Sequence, residues 1–179
     1  GVVQGAFPIS LHGRSAGEET IFHDYLRLTR QLPLDELDLV AWPETILPTQ
    51  FHQKWHDADE ADYSPQHRDY VAGMKRMQRQ LAQLLHEADL AMLAGGAVVE
   101  FPEDQEMQRY NSALLVQAAS PESLAVRGRY DKMHCVPFSE YVPFANGWPW
   151  LHQQLRRCVP NSMAQLRPGQ AVHRFPIGH

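Results

Sequence analysis

The sequence predicts an α/β domain in which helices cover a mixed sheet. Two observations carry this. Apolar runs and amphipathic stripes alternate in the order strand, helix, strand, helix, strand, strand, strand, and 44% hydrophobic residues over 179 positions suffice for one domain with a sizeable core.

Residues 2–7 read as a buried strand, followed by a loop rich in Gly, Ser and Pro. A helix is expected over about 16–31, where Ile21, Phe22, Tyr25, Leu26 and Leu28 recur on one broad face, with Pro33 ending it. Residues 37–42 form an apolar run too short for a helix and read as an interior strand whose ladder Pro43 terminates. Residues 51–66 are polar and irregular, an insertion or surface loop. A long helix over about 65–88 follows, because Val71, Met74, Met77, Leu81, Leu84, Leu85 and Ala88 make a stripe that should pack on a sheet. Residues 90–99 are strand-like around Gly95-Gly96, and 100–108 form an acidic connection. Residues 110–119 and 124–130 read as two strands joined by the turn Ser120-Pro121-Glu122-Ser123. No internal repeat or low-complexity tract interrupts this order.

Charge and cysteine content exclude several classes. Sixteen Lys and Arg against 21 Asp and Glu give a net charge of -5, which offers no attraction to phosphate backbones, so nucleic acid is not an expected partner. Two cysteines, Cys135 and Cys158, make neither a disulfide scaffold nor a paired zinc knuckle. The near-apolar run 90–99 is half of the roughly 20 residues that a membrane helix requires, so the chain as it stands is expected to be soluble. It opens on a strand-like segment without Met and stops at what reads as the start of another element, so both ends are expected to be cut.

Chemistry concentrates in two runs. Leu37 to Pro48 contains Trp42-Pro43-Glu44-Thr45, and Gly128 to Pro143 contains Tyr130-Asp131-Lys132 and Val136-Pro137-Phe138-Ser139-Glu140-Tyr141. Glu44 and Lys132 each sit where an apolar strand ends, and such a carboxylate and ammonium can serve acyl transfer as proton shuttle and oxyanion partner. The bland alternatives are a loop glutamate, a solvated lysine and, for Glu140, an ordinary loop acid. That chemistry also needs a nucleophile, and no convincing one is present. Cys135 is read as a buried structural cysteine, because positions 132 and 135 of an extended strand point to opposite faces. Cys158 has basic neighbours that favour thiolate but matches no catalytic motif.

Other features yield blander readings. His52 and His56, followed by Asp57 and Asp59, lack the companions of a zinc or calcium motif and read as a solvated face, so no metal is expected. Gly95-Gly96 is an isolated pair, not a phosphate loop, and no nucleotide cofactor is indicated. The aromatic loop around Phe144, Trp148 and Trp150 either touches a membrane or acyl chain or packs its tryptophans over the sheet.

The two runs, together with Tyr110-Asn111-Ser112 and Val3-Gln4-Gly5, resemble the nitrilase (carbon-nitrogen hydrolase) superfamily, and within it most closely the bacterial apolipoprotein N-acyltransferases. The resemblance covers nearly all of the chain. It implies a nitrilase-like α-β-β-α sandwich, here truncated, and a Glu-Lys-Cys triad that moves an acyl chain from a phospholipid to the amino group of a lipoprotein's lipidated N-terminal cysteine through a thioester. It implies Glu44 as general base, Lys132 as oxyanion stabiliser and Glu140 as a second acid that positions Lys132 or the substrate amine. The implied partners are a phospholipid donor, an apolipoprotein acceptor and, for the full-length protein, the bacterial inner membrane, with this domain on the periplasmic side. Residues 1–179 are then a single domain without the later strand that bears the cysteine and without the flanking membrane helices, and the fragment is expected to be inactive. Two other readings stay open: a soluble amidase acting on small amides or nitriles, and a noncatalytic binding module. Leu11-His12-Gly13-Arg14 stands where many members carry a tryptophan.

Overall fold

The computed structural model describes residues 1–5, 9–10, 13–14, 17–47, 65–102, 107–145, 147–158 and 165–175. The short strands β1 (Ile9–Ser10) and β2 (Gly13–Arg14) pair with each other antiparallel. Helix α1 (Glu18–Thr29) follows, and its Ile21, Phe22, Tyr25 and Leu26 are all buried. It is two residues shorter at each end than the apolar spacing suggested. At its C-terminus the Gln31 and Leu32 N–H groups turn to the Leu28 and Thr29 carbonyls, tightening the chain ahead of Pro33.

After a 3₁₀ turn at Leu34–Glu36 come β3 (Leu39–Leu47), α2 (Pro65–Ala88), β4 (Ala91–Glu100), β5 (Gln108–Ser120), β6 (Ser123–Asp131) and α3 (Pro149–Cys158). Helix α2 matches its sequence stripe, with Val71, Met74, Met77, Leu81, Leu84 and Leu85 buried. It stops at a left-handed Asp89 (φ 50), beyond which the Leu90 N–H returns to the Leu85 carbonyl at 3.0 Å, a C-cap of the Schellman type.

The four long strands form a mixed sheet in the order β3-β4-β5-β6. β3 and β4 are parallel because α2 carries the chain across between them, while β4, β5 and β6 run antiparallel through tighter connections. Helix α1 packs on β3, and α2 on β5 and β6. The helix-facing side of the sheet supplies Val40, Trp42, Met92, Ala94, Val98, Leu114 and Val116 to the same core. Truncating one of its large members, such as Leu81, to Ala costs about 2–5 kcal/mol. The fold class is as expected: α/β, with helices on a mixed sheet. Helices α1 and α2 pack against the four-stranded sheet, and β1 and β2 form a separate two-stranded sheet.

Two expectations need correction. Residues 2–7 do not form a strand among the described positions. Val2 makes a single parallel bridge to Ala41, and the ladder there consists of Val3 N–H to the Ala41 carbonyl (2.9 Å) and Ala41 N–H to the Gly1 carbonyl (2.8 Å). The continuous ladder of β3 does stop ahead of Pro43, but the strand does not end there: it runs on to Leu47, which pairs with Gly96. Pro43 lacks a ladder donor, but it sits where the strand has left the ladder, so no partner is deprived. Most of the loop read at 51–66 lies outside the described residues, and its last two positions begin α2.

Candidate functional site

The departure of β3 from the ladder creates the site. Trp42 pairs with Ala94 and Leu47 with Gly96, so Pro43, Glu44, Thr45 and Ile46 together face only Gly95. Thr45 takes a left-handed φ of 60° within this excursion. The backbone presses onto β4 so closely that a Cβ on Gly95 would stand 2.5 Å from the Glu44 Cα and 2.8 Å from both the Pro43 carbonyl oxygen and the Thr45 nitrogen. Only glycine fits beneath the excursion.

Both ends of the excursion are anchored. Trp42 is buried, its ring lies 5.9 Å from Phe22 in an edge-on contact and 5.4 Å from Tyr25, and its Nε1 donates to Thr29 Oγ1 at 2.9 Å. Thr29 in turn donates to the Tyr25 carbonyl at 2.7 Å, which satisfies a buried hydroxyl. On the other side, Ile46 and Leu47 enter the core.

Held this way, Glu44 reaches over the sheet to residues from its far side. Lys132 follows directly after β6, its N–H bonded to the Asn111 carbonyl at 2.8 Å. Its Nζ lies 3.1 Å from Glu44 Oε1 and 2.9 Å from Glu140 Oε1. Asn111, on β5, donates its side-chain N–H to the same oxygen of Glu44 and, at 3.2 Å, to Glu140 Oε1. Glu140 is fixed further by the Val136 N–H, which donates to Oε2 at 2.7 Å across a turn that holds Phe138 at φ 62°. The structure thus brings Glu44, Lys132 and Glu140 together, from positions 88 and 8 residues apart in the chain.

Electrostatics divide the two acids. The hydrogen bond to Glu140 and, after it, the one to Glu44 hold the Lys132 ammonium above the ordinary lysine range against the opposing pull of burial. Burial alone would push the Glu140 carboxyl up; the Val136 N–H, Lys132 and Asn111 together outweigh it and hold it below the usual carboxylate range. Glu140 is therefore a fixed anion, 14% exposed at its side chain, whereas the Glu44 side chain is 59% exposed. The cavity beside them, about 290 Å³, is bounded by Glu44, Leu93, Gly95, Asn111, Tyr130 and Lys132 among others. An ammonium and an exposed carboxylate over an apolar floor can steady a developing oxyanion and relay a proton.

Cys135 does not line that cavity. The expectation that it lies on an extended strand is corrected: β6 ends at Asp131, and the chain bends so that the thiol sits 4.0 Å from the Lys132 carbonyl oxygen, only partly buried. Burial, followed by the negative Glu140, pushes its pKa up, away from thiolate. His52, His56, Asp57, Asp59 and the Cys158 side chain lie outside the described residues. Among the described residues no group of three His, Cys, Asp or Glu could hold a metal, and no helix is long and apolar enough to cross a membrane. Trp148 and Trp150 are 57% and 62% exposed, so they do not pack over the sheet.

Two members of the site escaped sequence reasoning. Asn111 was visible in the run Tyr110-Asn111-Ser112, but its bridging role depends on Glu44 and Glu140, from other segments. Gly95 was visible as half of a pair, and its meaning depends on how β3 lies above it.

Residues 11–147 match the carbon-nitrogen hydrolase family. Curated relatives include an apolipoprotein N-acyltransferase from Geobacter metallireducens, 28% identical over 179 residues, covering 99% of this chain and 28% of the relative. Another, from Rhizobium rhizogenes, is 29% identical over 136 residues, covering 74% of this chain and 21% of the relative. The chain thus spans between a fifth and a third of the length of these two relatives. A solved carbon-nitrogen hydrolase from Helicobacter pylori aligns with 74% of this chain and 38% of its own at 18% identity and a TM-score of 0.41.

Proposed function

The chain belongs to the carbon-nitrogen hydrolase family, and on that premise we propose that it is the Glu–Lys part of the catalytic domain of an apolipoprotein N-acyltransferase. The observation that carries this reading is the meeting of Glu44 and Lys132 at one cavity, with Glu140 bonded to the same Lys132 amine. The names of the curated relatives favour acyl transfer among the activities such a site could serve.

In this reading the nucleophile is a cysteine encoded beyond His179. Glu44 takes the thiol proton as sulfur attacks a phospholipid ester, and returns it to the departing lysophospholipid oxygen, leaving an acyl thioester. The free amine of a lipidated N-terminal cysteine then attacks the thioester. Glu44 removes a proton from nitrogen and delivers it to the leaving thiolate. Lys132 steadies the oxyanion in both halves, and Glu140, locked by Val136 and Asn111, keeps the ammonium charged and aimed. Membrane-spanning segments outside this chain would set the domain on the periplasmic face of the bacterial inner membrane.

A soluble amidase is the second reading, favoured by the modest size of the cavity, which is at the small end for ligand sites. One assay separates the two. The complete gene product is incubated with phospholipid and a diacylglyceryl-cysteine peptide, and mass spectrometry follows the peptide. N-acylation supports the transferase, whereas an unmodified peptide together with hydrolysis of small amides supplied in a parallel incubation overturns it.

A further inference from the structure

We infer that the Leu166–Gly169 segment is a positioning strap for the site, and that Gly169 must lack a side chain for Lys132 and Glu140 to meet. The strap begins beside β5, where Leu166 bridges Arg109 in parallel and the Arg167 N–H donates to the Arg109 carbonyl at 2.8 Å. From there it bonds the backbone of both charged residues. The Leu166 N–H donates to the Glu140 carbonyl at 2.8 Å, and the Gly169 N–H to the Lys132 carbonyl at 3.0 Å.

These bonds fix the two ends of the loop that carries the ammonium and the inner carboxylate. Glu140 and Lys132 are eight residues apart in the chain, yet their carbonyls are gripped by donors three residues apart on one extended segment. The side-chain pair at 2.9 Å is therefore built on a main-chain frame and not on mutual attraction alone. Gly169 sets how close that frame can come: a Cβ there would stand 2.2 Å from the Asp131 carbonyl oxygen and 2.8 Å from the Asp131 carbonyl carbon. These are backbone atoms that cannot rotate away. Any side chain at 169 must drive the Asp131–Lys132 peptide off the strap, and the Lys132 amine moves with it, away from Glu140 and Glu44.

The functional weight of the strap rests on the reading of Lys132 given above, but its test reads ionisation and not turnover, so the two can fail separately. With carbon-13 labelled lysine, the one signal lost in K132M assigns the site amine among Lys54, Lys75 and any lysine outside residues 1–179. Titrated by NMR, the Lys132 midpoint is expected to fall in G169A, while V172A, which alters a residue 74% exposed on the same segment, leaves it in place. A folded G169A with an unchanged Lys132 titration overturns the inference. Should G169A fail to fold, amide hydrogen exchange in the unmutated chain decides: slowed exchange at Leu166 and Gly169 upholds the strap, and exchange at free-peptide rates overturns it.

Discussion

Glu44 lies directly above Gly95, with its Cα 2.5 Å from where a Cβ on that glycine would stand. The carboxylate's reach across the sheet therefore depends on the missing side chain of a residue on a different strand. Replacing Gly95 by Ala is expected to lift the excursion and separate Glu44 from Lys132, with a loss of about 1–3 kcal/mol of stability from overpacking. At Gly96 the added methyl would meet the Leu47 Cβ at 3.1 Å, a side-chain atom, so G96A should cost less. Urea unfolding of the two variants side by side checks the order.

Glu44→Gln keeps the shape of the side chain and its hydrogen bond to Lys132 but removes the proton acceptor. If Glu44 is the general base, acyl transfer by the complete gene product falls by about 10²- to 10⁴-fold. Urea midpoints should barely move, because Glu44 is mostly exposed and its ion pair is weakly stabilising. Rate and stability measured on one preparation separate the two effects.

Asn111→Ala withdraws one donor from both carboxylates. A loss of about 0.5–1.5 kcal/mol in unfolding free energy is expected for the missing hydrogen bonding. The Glu140 titration should move upward, because one of the groups that hold it low is gone. Carboxyl carbon NMR reads that shift directly.

Stability should fall off at both ends of the pH range, each limb owned by one partner. Glu140 is held low in the fold, so its contribution is complete above the ordinary carboxylate range and is lost as pH falls through its lowered value. Lys132 is held high, so its contribution is complete below the ordinary lysine range and is lost as pH rises through its raised value. Denaturation midpoints across pH are expected to show E140Q flattening the acid limb.

Trp148 and Trp150 project from the turn that starts α3, whose last turn carries Arg156 and Arg157. With both tryptophans changed to Ala, binding to vesicles containing anionic phospholipid is expected to weaken about tenfold, equivalent to roughly 1.4 kcal/mol. Thermal unfolding should be unaffected, since neither ring is buried. Co-sedimentation gives the first quantity and circular dichroism the second.

The parts of the fold with strong periodicity were legible from the residues alone. The seven apolar positions of α2 recur at helical spacing from Val71 to Ala88, and the 24-residue helix spans the predicted range. The hairpin of β5 and β6 was equally plain, since its turn residues punctuate two apolar runs. Pro43 misled because its lack of a ladder donor is a local fact, whereas the resumption of pairing at Leu47 depends on Gly96 in another strand. The same limit hid Asn111 and the strap: a hydrogen bond between segments far apart in the chain leaves no periodic trace in either. Glu44, Lys132 and Glu140 could be singled out by their motifs, but the division of the two acids into a fixed anion and an exposed partner needed the geometry around Val136 and Asn111.

The excursion of β3 also bears on how such a chain tolerates sequence drift. Because pairing is closed on both sides of it, at Trp42 and again at Leu47, adding or removing a residue between them alters only the length of the stalk that holds the acid. The same indel inside the regular part of β3 would turn every later side chain to the opposite face. Reach toward a new ligand could thus be tuned at this one place without re-threading the sheet.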